Sequence, residues 1–242
     1  MTKRQEQILE LLHENRSLSV ERLSQLTYTS PSSIRRDLTS LQNAGFLKRS
    51  HGAASILDES VQPASLNSRM NINMTGKRRI AKKAAALLRD NCSIMLDSSS
   101  TAGFLIPHIA KRSNITLFTN NMITAITAIN YGIETHCIGG SSVNCSAALS
   151  GAQAYRTVRE IHPDLLFFSS HSLDQSGLIS DPTQEENYMR MLMLQNARQK
   201  VFLCDSEKFG RKSLYALTTV DQVDACVFDE AWPELKAACR VL

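Results

Sequence analysis

Glycine is in short supply, with ten in 242 residues, well under the usual ~7%. Tight turns and phosphate-cradling loops favour glycine because it reaches positive φ without a Cβ penalty. Other residues must fill such turns here, and serine occupies several of them. Cysteine is present without a pattern. Cys92, Cys137, Cys145, Cys204, Cys226 and Cys239 form no CxxC pair and accompany no paired histidine motif. That argues against a zinc site and a disulfide scaffold, and predicts reduced, mostly buried small hydrophobes with no metal. No apolar run approaches the ~18–20 residues that span a bilayer. The opening MTKRQEQILE lacks the apolar stretch and cleavage site of a signal peptide, so a cytoplasmic protein without membrane contact is expected.

What is present is ordinary in bulk. Hydrophobic residues make up 43% and charged residues 21%, the balance of a soluble globular chain. The net charge of +4 permits nucleic-acid binding without singling it out. The length exceeds the ~60 residues of a small headpiece, so a second domain of ordinary size is expected.

The first 45 residues carry three short helical patterns. Residues 4–14 place Ile8, Leu11 and Leu12 among charged neighbours, the stripe of an amphipathic helix, and Asn15-Arg16-Ser17 breaks it. Ser19 caps a second helix with Val20, Leu23 and Leu26 at helical spacing. Ser30 then caps a third, with Pro31 at its first position, Ile34, Leu38 and Leu41 turned inward and Gly45 just past its end. Three helices with the last two tightly joined make a helix-turn-helix. The third exposes Ser32, Ser33, Arg35 and Arg36 near its N-terminal half, the part that recognition helices present to the major groove.

Phe46 and Leu47 follow as a short strand, and Lys48, Arg49 and His51 surround a turn at Gly52, which describes a basic wing. Between residues 22 and 55 the cations are Arg22, Arg35, Arg36, Lys48 and Arg49 and the only acid is Asp37. The excess of the whole chain is thus concentrated where DNA is expected to lie. The run SIRRDLTSLQNAGFLKRSHGAA resembles the headpiece of DeoR-family repressors, TIRRDL…LE..G.L.R.HGGA. Ala53 stands where the family has a second glycine. The resemblance implies a sequence-specific regulator that binds a double-stranded DNA operator.

Residues 58–75 lack periodicity and are expected to be a linker between a headpiece at 1–57 and a larger domain at 76–242. From residue 76 a helix carries Lys77, Arg78, Arg79, Lys82 and Lys83, expected as a solvated helix start. Apolar runs at 93–96, 116–118, 136–138, 165–168, 201–204 and 226–228 alternate with helical stretches at 102–111, 121–131, 152–160 and 185–198. That alternation predicts a largely parallel sheet with helices on both faces, and ligands bind such sheets at the carboxyl ends of strands. Polar residues collect there: Asp97, Ser98, Ser99, Ser100 and Thr101; Thr119 and Asn120; Gly139 and Gly140; and Asp205 with Lys208, a point charge suited to phosphate.

This second region resembles the DeoR-family sensor domain, itself similar to ribose-5-phosphate isomerase. The family motifs LDxGTT, TNS, GG, LxG, EAxxK and DxSKFG match residues 96–101, 119–121, 139–140, 149–151, 186–190 and 205–210. The resemblance implies a fold of class α/β, a winged helix-turn-helix followed by an α/β sensor domain. It also implies a phosphorylated-sugar effector bound with Asp174 and Glu186 among its contacts, and a homo-oligomer, dimer or tetramer, without a cofactor. Ser99 replaces a motif glycine, Ser169-Ser170-His171-Ser172-Leu173-Asp174 stands for GANGID, and Asn187 and Arg190 replace the alanine and lysine of EAxxK. Where glycine carried positive φ, these serines would alter the approach of a phosphate. Two other readings stay open. One is a regulator whose sensor responds to no ligand. The other is an isomerase with Glu186 as base, although residues 177–181 lack the lysine and glycine-rich run that such enzymes carry.

Overall fold

The computed structural model describes residues 2–43, 46–50, 52–56, 66–143 and 147–242. The chain divides into two compact units, Met1–Ile72 and Asn73–Leu242. In the first, α1 (Lys3–Asn15), β1 (Ser17–Ser19), α2 (Val20–Leu26), α3 (Pro31–Asn43), β2 (Leu47–Ser50), β3 (Ala53–Ile56) and α4 (Leu66–Asn71) follow in order. The helical stripes do what their spacing predicts. Ile8 and Leu12 of α1, Val20 and Leu23 of α2, and Ile34, Leu38 and Leu41 of α3 close one core with Leu47 and Ala54. Thr2 caps α1 and Ser19 caps α2 by accepting the amides three residues on. β2 and β3 form an antiparallel hairpin, and β1 pairs on the far side of β3. Gly45 of the expected helix end and Cys145 lie outside the described residues. The stretch expected to be linker contains α4, and the next helix starts before its end.

The second unit opens with α5 (Met74–Ala84), followed by β4 (Cys92–Leu96), α6 (Ser100–Gly103), α7 (Ile106–Ile109), β5 (Ile115–Thr119), α8 (Met122–Asn130), β6 (Glu134–Cys137), β7 (Ser141–Val143) and β8 (Ala148–Ser150). Then come α9 (Ala152–Glu160), β9 (Leu165–Phe168), β10 (Ser172–Leu173), β11 (Leu178–Asp181), α10 (Gln184–Asn196), β12 (Gln199–Cys204), β13 (Tyr215–Thr219) and β14 (Ala225–Phe228). The six expected strands are the six strands of one sheet, in the order β14-β12-β9-β4-β5-β6. Every pairing in it is parallel. Alternate residues feed two separate cores. Ile94, Leu96 and Phe167 pack with α5, α6 and α7, while Met95, Phe168 and Phe202 pack with α9 and α10. Coverage of both faces is why β9, β12 and β14 read as continuous apolar runs, whereas the edge strand β6 is largely exposed.

From β4 the chain steps outward through β5 to β6, then returns to the other side of β4 with β9, β12 and β14. The order reverses between β4 and β9, and it is at the carboxyl ends of strands flanking such a reversal that sheets of this kind bind ligands. Two departures follow from context. Lys77 is buried, at 2% exposure, rather than part of a solvated helix start. Cys137 is exposed, whereas Cys92, Cys204 and Cys226 are buried as expected and burial raises the thiol pKa of each.

Candidate functional site

In the first unit the residues expected to face DNA are placed mostly at the surface. Ser32, Arg35 and Arg36 are exposed on α3 and Ser33 is half-buried. The Ser30 hydroxyl accepts the Ser33 amide at 3.4 Å, so the serine before Pro31 caps the helix. Asp37, the one acid of the stretch, is turned inward and paired with Arg4 of α1. That pairing removes the single negative charge from beside Arg35 and Arg36. On the wing Lys48 is exposed. Arg49 donates to the Thr39 hydroxyl of α3 at 2.7 Å, which straps the wing to the recognition helix. Arg49 is therefore an anchor as well as a cation. His51 lies outside the described residues. Gly52 holds φ at +81° in the hairpin turn, whereas Ala53 is extended and paired with Ser50 and Ser19, so a second glycine is not required there. Sequence reasoning passed over Tyr28, which is 98% exposed in the turn between α2 and α3. Its only signal was an aromatic residue inside a polar turn.

In the second unit the polar residues meet at the switch point. Asp97 follows β4 and is almost wholly buried. One of its oxygens accepts the Ser99 amide and hydroxyl. The other accepts the Ser169 amide at the end of β9 at 3.3 Å and the Arg190 Nε at 2.7 Å. Ser99 has φ −74° and its hydroxyl caps α6 by accepting the Ala102 amide. The anticipated positive-φ penalty at this position does not arise, because the backbone is extended. Ser169 likewise lies outside the left-handed region. Its hydroxyl donates to the Leu203 carbonyl and accepts Lys208 Nζ at 2.8 Å. Lys208 also lies 3.5 Å from the Thr101 hydroxyl and 3.4 Å from Asp205 Oδ2. Thr101 after β4, Ser169 after β9 and Lys208 after β12 thus converge on one ammonium. Ser98 and Ser100 are buried beside them.

Arg190 lies beneath this cluster, 3% exposed, and its role was not legible from its place in α10. Its guanidinium stands 2.7 Å from Asp97, 2.9 Å from Asp181 and 3.6 Å from Glu186. Burial disfavours its charge, but the three carboxylates outweigh that and hold it protonated. Burial pushes Asp181 upward, against the pull of Arg190. Glu186 is thereby part of an internal ion cluster.

The remaining expected residues divide. Asn120 donates from its side chain to the Leu149 carbonyl at 3.1 Å, and Thr119 accepts the Asn121 amide, so both organise the end of β5. Gly140 has φ +126°, and a Cβ there would sit 2.4 Å from the Ser150 carbonyl oxygen, so this glycine is required; Gly139 lies against Gln153. Asp174 serves the turn between β10 and β11, accepting the Ser176 amide and hydroxyl and the Leu178 amide. Burial raises its pKa, and those hydrogen bonds together outweigh burial and hold it low. Its carboxylate is occupied by the turn rather than by the Lys208 cluster.

Two sequence families match this arrangement. Residues 4–60 match a DeoR-like helix-turn-helix domain and residues 72–230 match a DeoR C terminal sensor domain. The HTH-type transcriptional regulator GolR of Listeria innocua is 32% identical over 93% of this chain and 89% of its own. A putative aga operon transcriptional repressor of Escherichia coli O157:H7 is 30% identical over 96% of this chain and 87% of its own. An L-fucose operon activator of Haemophilus influenzae is 30% identical over 97% and 94%. Among solved structures, ribose 5-phosphate isomerase A from Methanocaldococcus jannaschii superposes with a TM-score of 0.43 at 18% identity, over 57% of this chain and 55% of its own.

Proposed function

Because the chain belongs to the DeoR family of transcription regulators, we propose that it is a repressor of carbohydrate genes that a phosphorylated sugar releases from its operator. It is a regulator and not an enzyme. The proposed DNA contacts are Ser32, Ser33, Arg35 and Arg36 in the major groove, with Lys48 and Arg49 on the backbone. Arginine pairs bidentately with guanine, and lysine neutralises phosphate. The observation that carries the ligand half is Lys208, whose ammonium gathers hydroxyls from the ends of β4 and β9 at the reversal of strand order. A phosphate oxygen can replace those neutral acceptors with a charged one. No cofactor beyond the effector is proposed.

Arg35→Ala or Arg36→Ala is expected to weaken operator binding by ~1–3 kcal/mol if the residue reads a base. Unchanged binding in both variants would remove α3 from recognition. For the ligand, thermal unfolding against a panel of sugar phosphates is expected to show ~2.7 kcal/mol of stabilisation at ~100 times Kd, a rise of roughly 5–10 °C. The alternative of a ligand-independent sensor draws on the Ser169 hydroxyl, which already holds Lys208. No shift across the panel would establish that alternative.

We further propose a homo-oligomer in the cytoplasm, because one headpiece covers too little DNA for tight specific binding and pairs of half-sites suit paired headpieces. The face of α8 supports it. Met122, Ile126 and Ile129 are 39%, 60% and 59% exposed at helical spacing, on a helix with no charged residue. β6 beside it is an edge strand of the sheet. Among the described residues no helix is long and apolar enough to cross a membrane. Ile126→Asp is expected to shift sedimentation toward smaller species, and an unchanged profile would move the interface elsewhere.

A further inference from the structure

The Lys208 cluster is linked by hydrogen bonds to the first residue of the second unit. Lys208 ends a single turn, Ser206–Lys208, that follows β12. Ser206 at the start of that turn gives both its donors to Asp229. Its amide reaches one carboxylate oxygen at 2.8 Å and its hydroxyl the other at 3.1 Å. That second oxygen also accepts the Asn73 side-chain amide at 3.1 Å. Asp229 is 6% exposed, so water does not readily replace these partners, and a buried carboxylate deprived of them is costly.

Asn73 is in turn committed through its carbonyl and both polar atoms of its side chain. Its side-chain oxygen accepts the Gly76 amide at 3.0 Å and its carbonyl accepts the Lys77 amide at 3.0 Å, which builds the first turn of α5. Its backbone is left-handed, with φ 45° and ψ 48°. Asparagine enters that region more readily than most residues with a Cβ because its side chain can bond locally, here to the Gly76 amide. Asp229 is the partner beyond α5 that its side chain reaches. The packing is close enough to dictate residue 76, where a Cβ would lie 2.3 Å from Asp229 Oδ2 and 2.6 Å from the Asn73 amide. Asn73 follows directly on Ile72, the last residue of the first unit.

We infer that Ser206, Asp229 and Asn73 form a clamp through which the state of Lys208 sets the conformation of the chain where it leaves the DNA-binding unit. With Lys208 held by Ser169, the turn at Ser206–Lys208 presents both donors to Asp229, and Asp229 secures Asn73 in its left-handed state. When an anion draws the ammonium away from Ser169, the short turn moves with it and Ser206 withdraws from Asp229. Asn73 then loses its restraint and relaxes toward an ordinary backbone conformation. These are two discrete arrangements of one element, which is the physical requirement for coupling between sites. The inference rests on the effector reading of the Lys208 site, and Asp229 and Asn73 are positioning residues that touch neither ligand nor DNA.

The test needs no identified effector. Amide hydrogen exchange is followed at Gly76 and Lys77 in the full chain, with wild type compared to Lys208→Ala, Asp229→Asn and Ser206→Ala. Release of the clamp is expected to accelerate exchange at both amides about tenfold in Lys208→Ala and in Asp229→Asn. The double variant should exchange no faster than the faster single variant, because both substitutions open the same element. Ser176→Ala, which alters only the Asp174 turn, should leave these amides at the wild-type rate. Ser206→Ala removes one hydroxyl and gives the same answer should Asp229→Asn fail to fold. Wild-type exchange at Gly76 and Lys77 in Lys208→Ala, or additive effects in the double variant, would overturn the clamp. Sugar-phosphate melting shifts measured on the same wild-type protein separate the two failures. A shift with unresponsive amides sinks the clamp alone, and responsive amides without any shift sink the effector reading.

Discussion

Replacing Arg190 by methionine keeps much of the side-chain volume and removes a cation that Asp97, Asp181 and Glu186 share. All four groups are nearly excluded from solvent, so the carboxylates cannot recover their lost partner from water. Removing one member of a buried ion pair costs about 3–5 kcal/mol, since the uncompensated charge stays behind. For a unit of this size each kcal/mol corresponds to roughly 2–4 °C, so the second unit should melt ~6–20 °C lower at neutral pH. The sign of the pH response provides a sharper check. Burial and the nearby Glu186 and Asp97 charges already push the Asp181 carboxyl upward, and loss of the Arg190 guanidinium removes the pull that opposes them, so Asp181 rises further above its unfolded value. Protonation then favours the folded state, so the deficit should shrink as pH falls from 7.5 toward 5. Thermal and urea unfolding of both proteins across that range measures it. A deficit below about 1 kcal/mol, or one unchanged between pH 7.5 and 5, would refute the view that Arg190 neutralises the cluster.

Leu38→Ala should leave a cavity worth about 2–5 kcal/mol in a headpiece whose whole stability is of order 4–10 kcal/mol. Operator binding should therefore fail at 37 °C while the melting of the second unit is unchanged, as calorimetry would show. Gly140→Ala places a Cβ against the Ser150 carbonyl at positive φ and should destabilise by about 2–3 kcal/mol. Ser99→Gly restores the family residue yet should cost about 1 kcal/mol, because it removes the α6 cap and a donor to Asp97. A stabilised Ser99→Gly protein would show that the serine is strained after all. The amide and hydroxyl of Ser93 hold the Asp164 carboxylate below its ordinary pKa, against a smaller upward push from burial. A carboxylate lowered in this way stabilises the fold above its unfolded pKa of ~3.9 and loses that contribution as pH falls through the folded value. Ser93→Ala should flatten that acid limb in urea titrations near pH 3–4.

Local features were legible in the sequence because they follow from neighbours along the chain. The stripes at Ile8–Leu12 and Ile34–Leu38–Leu41 and the caps at Ser19 and Ser30 depend on residues three or four apart. Strands β9, β12 and β14 were visible as continuous apolar runs because burial on both faces leaves no room for polar alternation, whereas the edge strand β6 is largely exposed and was marked only by the run beginning at His136. The short strands β1, β7, β8, β10, β11 and β13 were not visible, because two to five residues without such a run carry too little pattern. The expected helix at 102–111 resolves into α6 and α7, a break that apolar spacing alone did not show.

The site divides along the same line. Asp97, the serines after it and Lys208 announced themselves as polar residues at strand ends, a one-dimensional property. Asp174 was implied only by the family resemblance, and the structure commits it to a turn whose partners lie within four residues. Arg190 looked like a departure from a motif, and its meaning came from carboxylates on β11 and after β4, the latter 93 positions away. Ser169 looked like a missing glycine and proved to be the acceptor for Lys208. From residue order alone came the three headpiece helices, the family and the alternation that builds the sheet. Only the tertiary structure decided which carboxylate faces which cation, because parallel strand order is set by crossover connections and brings together residues that no local spacing relates.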